Sequence, residues 1–441
     1  MRTQRLWYKV SGAAAAAAIA ITAGCSSTGP AASPSPPARP SAASPSPDRP
    51  APSPSASSDQ PAGNPNHDEA AQQAAQAVQG PAAAPTAAQL AALKAQSHEI
   101  ARLSPEQLAG QRVIYSYNGL SAPADLLIRI RHGDVGGVIF FSFNISSPQQ
   151  IRGVVAKMVA ANASPDNPAR AYPLLLMTDQ EGGQVRRLPW AGPFQSEAQI
   201  GASANPSAGA ATAGSQAAAG LRAAGLNVNL APVLDVFRQP GDFDDQFQRS
   251  FSMNPGIVSR AGAAFVSAQQ AGHVAATVKH FPGLGEAGAT QNTDNEPVTI
   301  NLSAQTLRSV DELPYRSAVK AGVKLAMLSW ANYPALDRRL PAGLSPTIIQ
   351  GELQRRLGFS GVTITDALGA GALGAYGSLQ NKTMLAARAG MDALLCTAVK
   401  PLPGWKCVAG VQNGYAAGVL PRAAFQGQLA QLLELRASLP G

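Results

Sequence analysis

Short apolar, β-branched runs recur along the chain from about residue 110 onward, and segments with helical spacing of apolar residues separate many of them. The runs are Val113–Tyr117, Gly137–Phe141, Leu174–Thr178, Val228–Val233, Ala275–Lys279, Lys324–Leu328, Val362–Thr365 and Asp392–Cys396. Helices are predicted over Thr86–Arg102, Pro148–Ala161, Ser207–Ala224, Ile257–Ala271, Ser303–Ala321, Ser345–Leu357 and Asn381–Ala389. The strand runs are continuously apolar, which means cover on both faces and hence a parallel sheet. Eight βα units in about 330 residues point to an α/β fold closed as a (β/α)8 TIM-type barrel. A doubly wound open sheet is the alternative.

The N-terminal patterning is different. Arg2, Arg5 and Lys9 precede an Ala/Ile run from Ala13 to Ile21 and then Thr22-Ala23-Gly24-Cys25. A basic start, a short apolar stretch and small residues describe a secretory signal, too short to span a bilayer. The last four residues resemble a bacterial lipobox, which implies lipidation of Cys25 and export to the outer face of the cell membrane. Between Ser26 and Pro65, 12 of the chain's 36 prolines alternate with Ser and Ala. Such a stretch buries no core; extended at about 3.1 Å per residue, it reaches on the order of 100 Å. The expected organisation is therefore a signal peptide with lipobox at 1–25, a disordered tether at 26–85 and one catalytic domain at 86–441.

Composition narrows the chemistry. The 441 residues are 45% hydrophobic and 14% charged, with a formal net charge of +8. The basic balance suits anionic surroundings without naming a partner. Three cysteines exclude a disulfide-stapled scaffold and a four-thiolate zinc site. None of the five histidines follows His280, so the C-terminal third holds no His-rich metal site. No metal, no organic cofactor and no nucleic-acid partner is expected, and the oligomeric state is left open. Outside the cytoplasm Cys396 and Cys407 could oxidise to a disulfide; two separate buried thiols are the alternative.

Catalytic groups of such barrels sit at the C-terminal ends of strands. Polar residues fall there repeatedly: Asp179 and Glu181, Asp235, Lys279 and His280, Ser329, and Asp366. Asp366 follows a buried run and is a candidate nucleophile toward an anomeric carbon, or else the cap of a helix beginning near Ala370. Lys279 in a strand needs a carboxylate partner such as Asp179. His280 reads as a core histidine or, beside Lys279 and a Gly-rich turn, as a ligand-binding group. Asp179 to Arg187 surrounds two glycines with donors and acceptors, or is a surface charge run. Arg249 suits a sugar hydroxyl or a carboxylate. The polar loop from Gly285 to Pro297 carries Glu286, Asp294 and Glu296 and could act as a lid bearing a second carboxyl.

Together these stretches resemble the N-acetylglucosaminidase branch of family 3 glycoside hydrolases. The carriers are Thr178-Asp179-Gln180-Glu181-Gly182-Gly183, Asn229 to Val236, Arg249-Ser250-Phe251, Lys279-His280-Phe281-Pro282-Gly283, Tyr333 to Asp337, and Leu357 to Val362 leading to Thr365-Asp366-Ala367-Leu368. The Lys279-His280 form, and about 75 residues after Asp366, look like the single-barrel, lipoprotein type. The resemblance implies a retaining mechanism with Asp366 as nucleophile. Asp179, Arg187, Arg249, Lys279 and His280 would bind the non-reducing sugar, and the substrate would be terminal β-linked N-acetylglucosamine on cell-wall fragments. The branch takes its acid/base from an Asp-x-His dyad in the loop after Lys279-His280, and this chain has no histidine there. Asn292-Thr293-Asp294 is the nearest equivalent, which makes Asp294 the expected direct acid and base, with Glu296 and Glu286 as substitutes. An exo-β-glycosidase of other specificity, or a barrel that binds wall glycan without cleaving it, are the competing readings.

Overall fold

A computed structural model describes residues 80–440. The signal, Cys25 and most of the tether lie outside the described residues. Among the described residues eight strands form the main sheet: β1 Val113–Tyr115, β2 Gly137–Ile139, β3 Leu175–Thr178, β4 Val228–Asn229, β5 Ala275–Phe281, β6 Leu325–Leu328, β7 Val362–Thr365 and β8 Leu394–Leu395. They pair in parallel in the order β8, β1, β2, β3, β4, β5, β6, β7. A parallel bridge between Ile364 and Ala393 returns β7 to β8, with Thr365 N–H donating to the Ala393 carbonyl (3.1 Å). The ring closes, so the barrel is observed and the open sheet is not.

Alternation along each strand divides the core in two. Ile114, Ile139, Leu175, Met177, Leu325, Met327, Val362 and Ile364 fill the barrel lumen, while Val113, Val138, Leu176, Ala326 and Leu328 face the surrounding helices. Leu432 and Leu435 join the luminal cluster from the helix Arg422–Ala437. Buried Arg436 donates to the carbonyls of Pro173 (2.7 Å) and Tyr172 (2.9 Å) just before β3, so this helix belongs to the N-terminal end of the barrel.

Several expectations are refined. The run Val228–Val233 ladders only at Val228 and Asn229, because Pro232 has no N–H to donate; Val233 then touches Lys279 through a single bridge. The helix expected over Ser303–Ala321 is broken, and a new one starts at Leu313 with Pro314 in its first turn. Helices at Ala124–His132, Gly404–Ala416 and Arg422–Ala437 were not anticipated. The attached chain begins before Thr86: Ala83 is buried and donates to the Arg388 carbonyl (2.9 Å), and Arg388 Nη2 donates to the Gly80 carbonyl (2.6 Å). Residues 80–85, assigned above to the tether, thus lie on the barrel. Thr86 caps the helix Ala87–Ala101 in a capping box with Gln89, whose side chain reaches Asp392 (2.9 Å).

Cys396, directly after β8, is bonded to Cys407 in the helix Gly404–Ala416, and both are buried. The bridge pins residues 397–403 to the rim of the barrel. Closing so short a loop constrains the unfolded chain by about 2–3 kcal/mol. Replacing both cysteines by alanine should lower stability to denaturant by about that amount. Reduction of the parent protein should reproduce the loss, and an unchanged midpoint would contradict it.

Candidate active site

The strand ends deliver their polar residues to one pocket of about 400 Å³. Asp179, Arg187, Arg249, Lys279, His280, Asp294 and Asp366 all line it, together with Glu181. After β3 the chain forms a two-stranded hairpin, Gln180–Gly182 with Val185–Arg186. Gly182 turns it at a φ of 120°, where an added Cβ would stand 2.3 Å from the Gln195 carbonyl; only glycine fits. Asn229 of β4 holds the hairpin, accepting from Gln180 N–H (2.9 Å) and donating to its carbonyl (3.1 Å).

Lys279 is the centre of the charge pattern. Its ammonium, 2% exposed, lies 2.8 Å from Asp179 Oδ1 and 2.7 Å from Glu181 Oε1. Glu181 also takes a two-pronged contact from Arg249, at 2.9 Å from Nε and 3.0 Å from Nη2. Arg249 Nη1 donates to Asp244 Oδ1 (2.9 Å). Burial alone would raise the pKa of Glu181, but Arg249 and Lys279 outweigh it and hold the carboxyl at about 2. Asp179 follows the same logic, lowered by Lys279 and Arg187 against burial. Burial pushes Asp244 up to about 7, with Asp235 adding to the rise and Arg249 and His280 too weak to offset it.

Asp235, fully buried, positions His280. Its carboxylate meets His280 Nδ1 at 2.7 Å and accepts the backbone N–H of Leu284 (2.6 Å) and of His280 (3.2 Å). Burial, with repulsion from Arg249, lowers the His280 pKa to about 4. The imidazole is therefore neutral near pH 7. With Nδ1–H committed to Asp235, Nε2 is the nitrogen left as an acceptor.

Asp366 follows β7 directly. Ala367 N–H donates to its Oδ1 (2.7 Å), and among the described residues no side chain hydrogen-bonds to Oδ2. It does not cap the following helical turn, whose first residues lack a side-chain cap. Burial raises its pKa and Asp294 adds to the rise, while His280, the Ala367 N–H and Lys279 oppose it. Asp294 is exposed at the rim, yet desolvation raises its pKa too, with Arg249 opposing and Asp179 reinforcing. Two carboxyls with raised proton affinity thus share a pocket whose other two carboxyls, Asp179 and Glu181, are locked as anions.

Of the loop acids expected as alternatives, Glu286 pairs with Arg238 (3.1 Å) and Glu296 is exposed; neither lines the pocket. Ser329 at the end of β6 bonds Ala331 N–H (2.9 Å) instead of facing it. The sequence reading missed Asp244, Phe243 and Phe247. Asp244 sits five residues before Arg249 in the one-turn helix Phe243–Gln246, too short for periodicity to mark it.

Residues 117–435 match the glycosyl hydrolase family 3 N-terminal domain. The chain is 44% identical over 332 residues to an uncharacterized secreted glycosyl hydrolase of Arthroderma benhamiae, covering 75% of this chain and 93% of that one. It is 33% identical over 278 residues to a beta-hexosaminidase of Stenotrophomonas maltophilia, covering 60% and 77%. The solved family 3 β-N-acetylglucosaminidase from a Paenibacillus species is similar at TM-score 0.70 and 30% identity, over 77% of this chain and 64% of that one. A β-N-acetylhexosaminidase from Beutenbergia cavernae is similar at 0.69 and 28%, over 76% and 99%.

Replacing Lys279 by methionine would leave Asp179 and Glu181 without their shared cation. A stability loss of about 3–5 kcal/mol is expected in chemical denaturation. A loss below about 1 kcal/mol would show that the pairing is not structural.

Proposed function

The chain belongs to glycosyl hydrolase family 3 and is a glycoside hydrolase; from that premise we propose that it is a retaining, exo-acting β-N-acetylhexosaminidase that releases terminal β-linked N-acetylglucosamine. The supporting observation is the division of four pocket carboxyls into two fixed anions and two with raised proton affinity. Asp294 lines the same pocket as Asp366 and adds to its proton affinity. With one carboxyl ionised and the other protonated, the first is a nucleophile and the second an acid.

In the first step Asp366 Oδ2 attacks the anomeric carbon while the bond to the glycosidic oxygen breaks. Asp294 gives its proton to that oxygen, and the aglycone departs as an alcohol. In the second step Asp294 takes a proton from water as the water oxygen attacks the same carbon. The ester to Asp366 breaks, leaving its carboxylate and a sugar of unchanged configuration. Asp179 and Lys279 would bind the hydroxyls of the terminal, non-reducing sugar, with Arg187 at the pocket edge. His280 Nε2 would accept a sugar hydroxyl, held in place by Asp235. Arg249 acts chiefly through Glu181, since three of its five N–H donors go to that residue and to Asp244.

The leader would export the enzyme and Cys25 would anchor it, as expected from the lipobox. No helix among the described residues is long and apolar enough to cross a membrane. Wall glycan, expected from the resemblance, is one source of terminal N-acetylglucosamine, and uncharged β-linked N-acetylglucosamine polymers are another.

Asp366→Ala should lower kcat on an aryl β-N-acetylglucosaminide by at least about 10⁴-fold. Asp294→Ala should cost about 10²- to 10⁴-fold on substrates with poor leaving groups and recover rate with azide. The pH profile carries the sign of the two pKa shifts. Activity is lost as pH falls and Asp366 takes up a proton, and lost as pH rises and Asp294 gives one up. Because burial raises both, both limbs should lie above the ordinary carboxylate range, and Asp294→Ala should remove the alkaline limb. Full activity in Asp366→Ala would overturn the assignment.

A further inference from the structure

We infer that the pocket wall carrying Asp294 selects an uncharged sugar as leaving group and disfavours an anionic one, with Phe247 as its stacking platform. The inference rests on the reading of Asp294 as the acid, because the acid stands beside the departing group. It goes further by assigning the chemistry of that group.

Two segments build this wall. The short helix Phe243–Gln246 is tied to the Asp294 loop by Phe243 N–H donating to the Ala287 carbonyl (2.9 Å) and by Gln246 Nε2 donating to the Ala289 carbonyl (2.6 Å). Phe243 and Phe247 both line the pocket and pack edge to face, with centroids 5.7 Å apart. Phe243 is half-buried beneath, and Phe247 is 40% exposed. An exposed aromatic face at a pocket lip offers an apolar surface to the C–H face of a pyranose ring.

The charge of the same wall is one-sided. Residues 238–249 and 284–297 carry Asp242, Asp244, Asp245, Glu286, Asp294 and Glu296 against two arginines. Both arginines are occupied: Arg238 by Asp311 and Glu286, Arg249 by Glu181 and Asp244. Glu296 is exposed and Asp245 half-exposed just outside the pocket lining, while Asp294, as the acid, carries its proton when the leaving group departs. The loosely paired cation of the pocket, Arg187, 4.0 Å from Asp179, belongs to the β3 hairpin instead. A carboxylate on the leaving sugar would therefore meet like charge, a repulsion that discriminates between substrates sharing the same terminal sugar.

The test compares two disaccharides with the same non-reducing end. One is the uncharged β-1,4-linked dimer of N-acetylglucosamine; the other carries N-acetylmuramic acid, with its lactyl carboxylate, as leaving group. At low salt kcat/KM should favour the uncharged dimer by about tenfold, and the gap should narrow as ionic strength rises. Phe247→Ala should raise KM for the dimer about fivefold, while inhibition by free N-acetylglucosamine, which reads only the terminal-sugar site, stays within about twofold. In Asp245→Asn/Glu296→Gln the ratio of anionic to uncharged turnover should rise about threefold. Equal turnover of the two disaccharides at low salt, or an unchanged KM in Phe247→Ala, would overturn the inference alone. No turnover of any β-N-acetylglucosaminide would overturn the hexosaminidase reading and the inference with it.

Discussion

The ammonium of Lys279, buried between Asp179 and Glu181, is the interaction on which the site depends. Moving a charge of this kind out of water costs several kcal/mol, and only close opposite charges with good hydrogen-bond geometry offset that cost. Each partner is in turn held by something else. Glu181 is fixed by Arg249, Arg249 by Asp244, and Asp179 stands at the root of a hairpin locked to Asn229. The barrel makes this possible because the ends of β3, β5 and β7 bring Asp179, Lys279 and Asp366 to one mouth while the lumen beneath is filled with aliphatic side chains.

Allocation of cations then separates the carboxyls by task. Burial acts on Asp179, Glu181, Asp294 and Asp366 in the same direction, toward protonation. Lys279, Arg249 and Arg187 reverse it for the first two and do not reverse it for the second two. Identical functional groups are thus divided into two held as anions and two with raised proton affinity, the division on which the proposed mechanism draws. His280 is withdrawn from proton exchange by the same logic. Desolvation and Arg249 keep it neutral, and Asp235 fixes its tautomer, so its contribution is a directed acceptor.

Much of the barrel was legible because strands buried on both faces are continuously apolar, and all eight runs found their places in order. What failed was local. Pro232 cut a strand short for want of a donor, and Pro314 restarted a helix. The alanine-rich and leucine-rich C-terminal helices gave no sharp boundary from periodicity. Strand-end logic found Asp179, Lys279, His280 and Asp366 because those residues follow apolar runs directly. Asp244 and Phe247 lie in and directly after the one-turn helix Phe243–Gln246, whose path depends on contacts with the Asp294 loop, and no spacing in the chain encodes that approach. The pairing of Cys396 with Cys407 was open for the same reason, since it depends on where the helix after β8 returns.

The central claim is that Asp366 is the atom donor to the anomeric carbon in a double displacement. The most direct measurement is mass analysis of Asp294→Ala protein quenched during turnover of an activated aryl β-N-acetylglucosaminide, followed by peptide mapping. The account predicts one added N-acetylhexosamine, located on Asp366, and a product released with retained configuration. An adduct on another residue, or inversion at the anomeric carbon with no adduct, would contradict it.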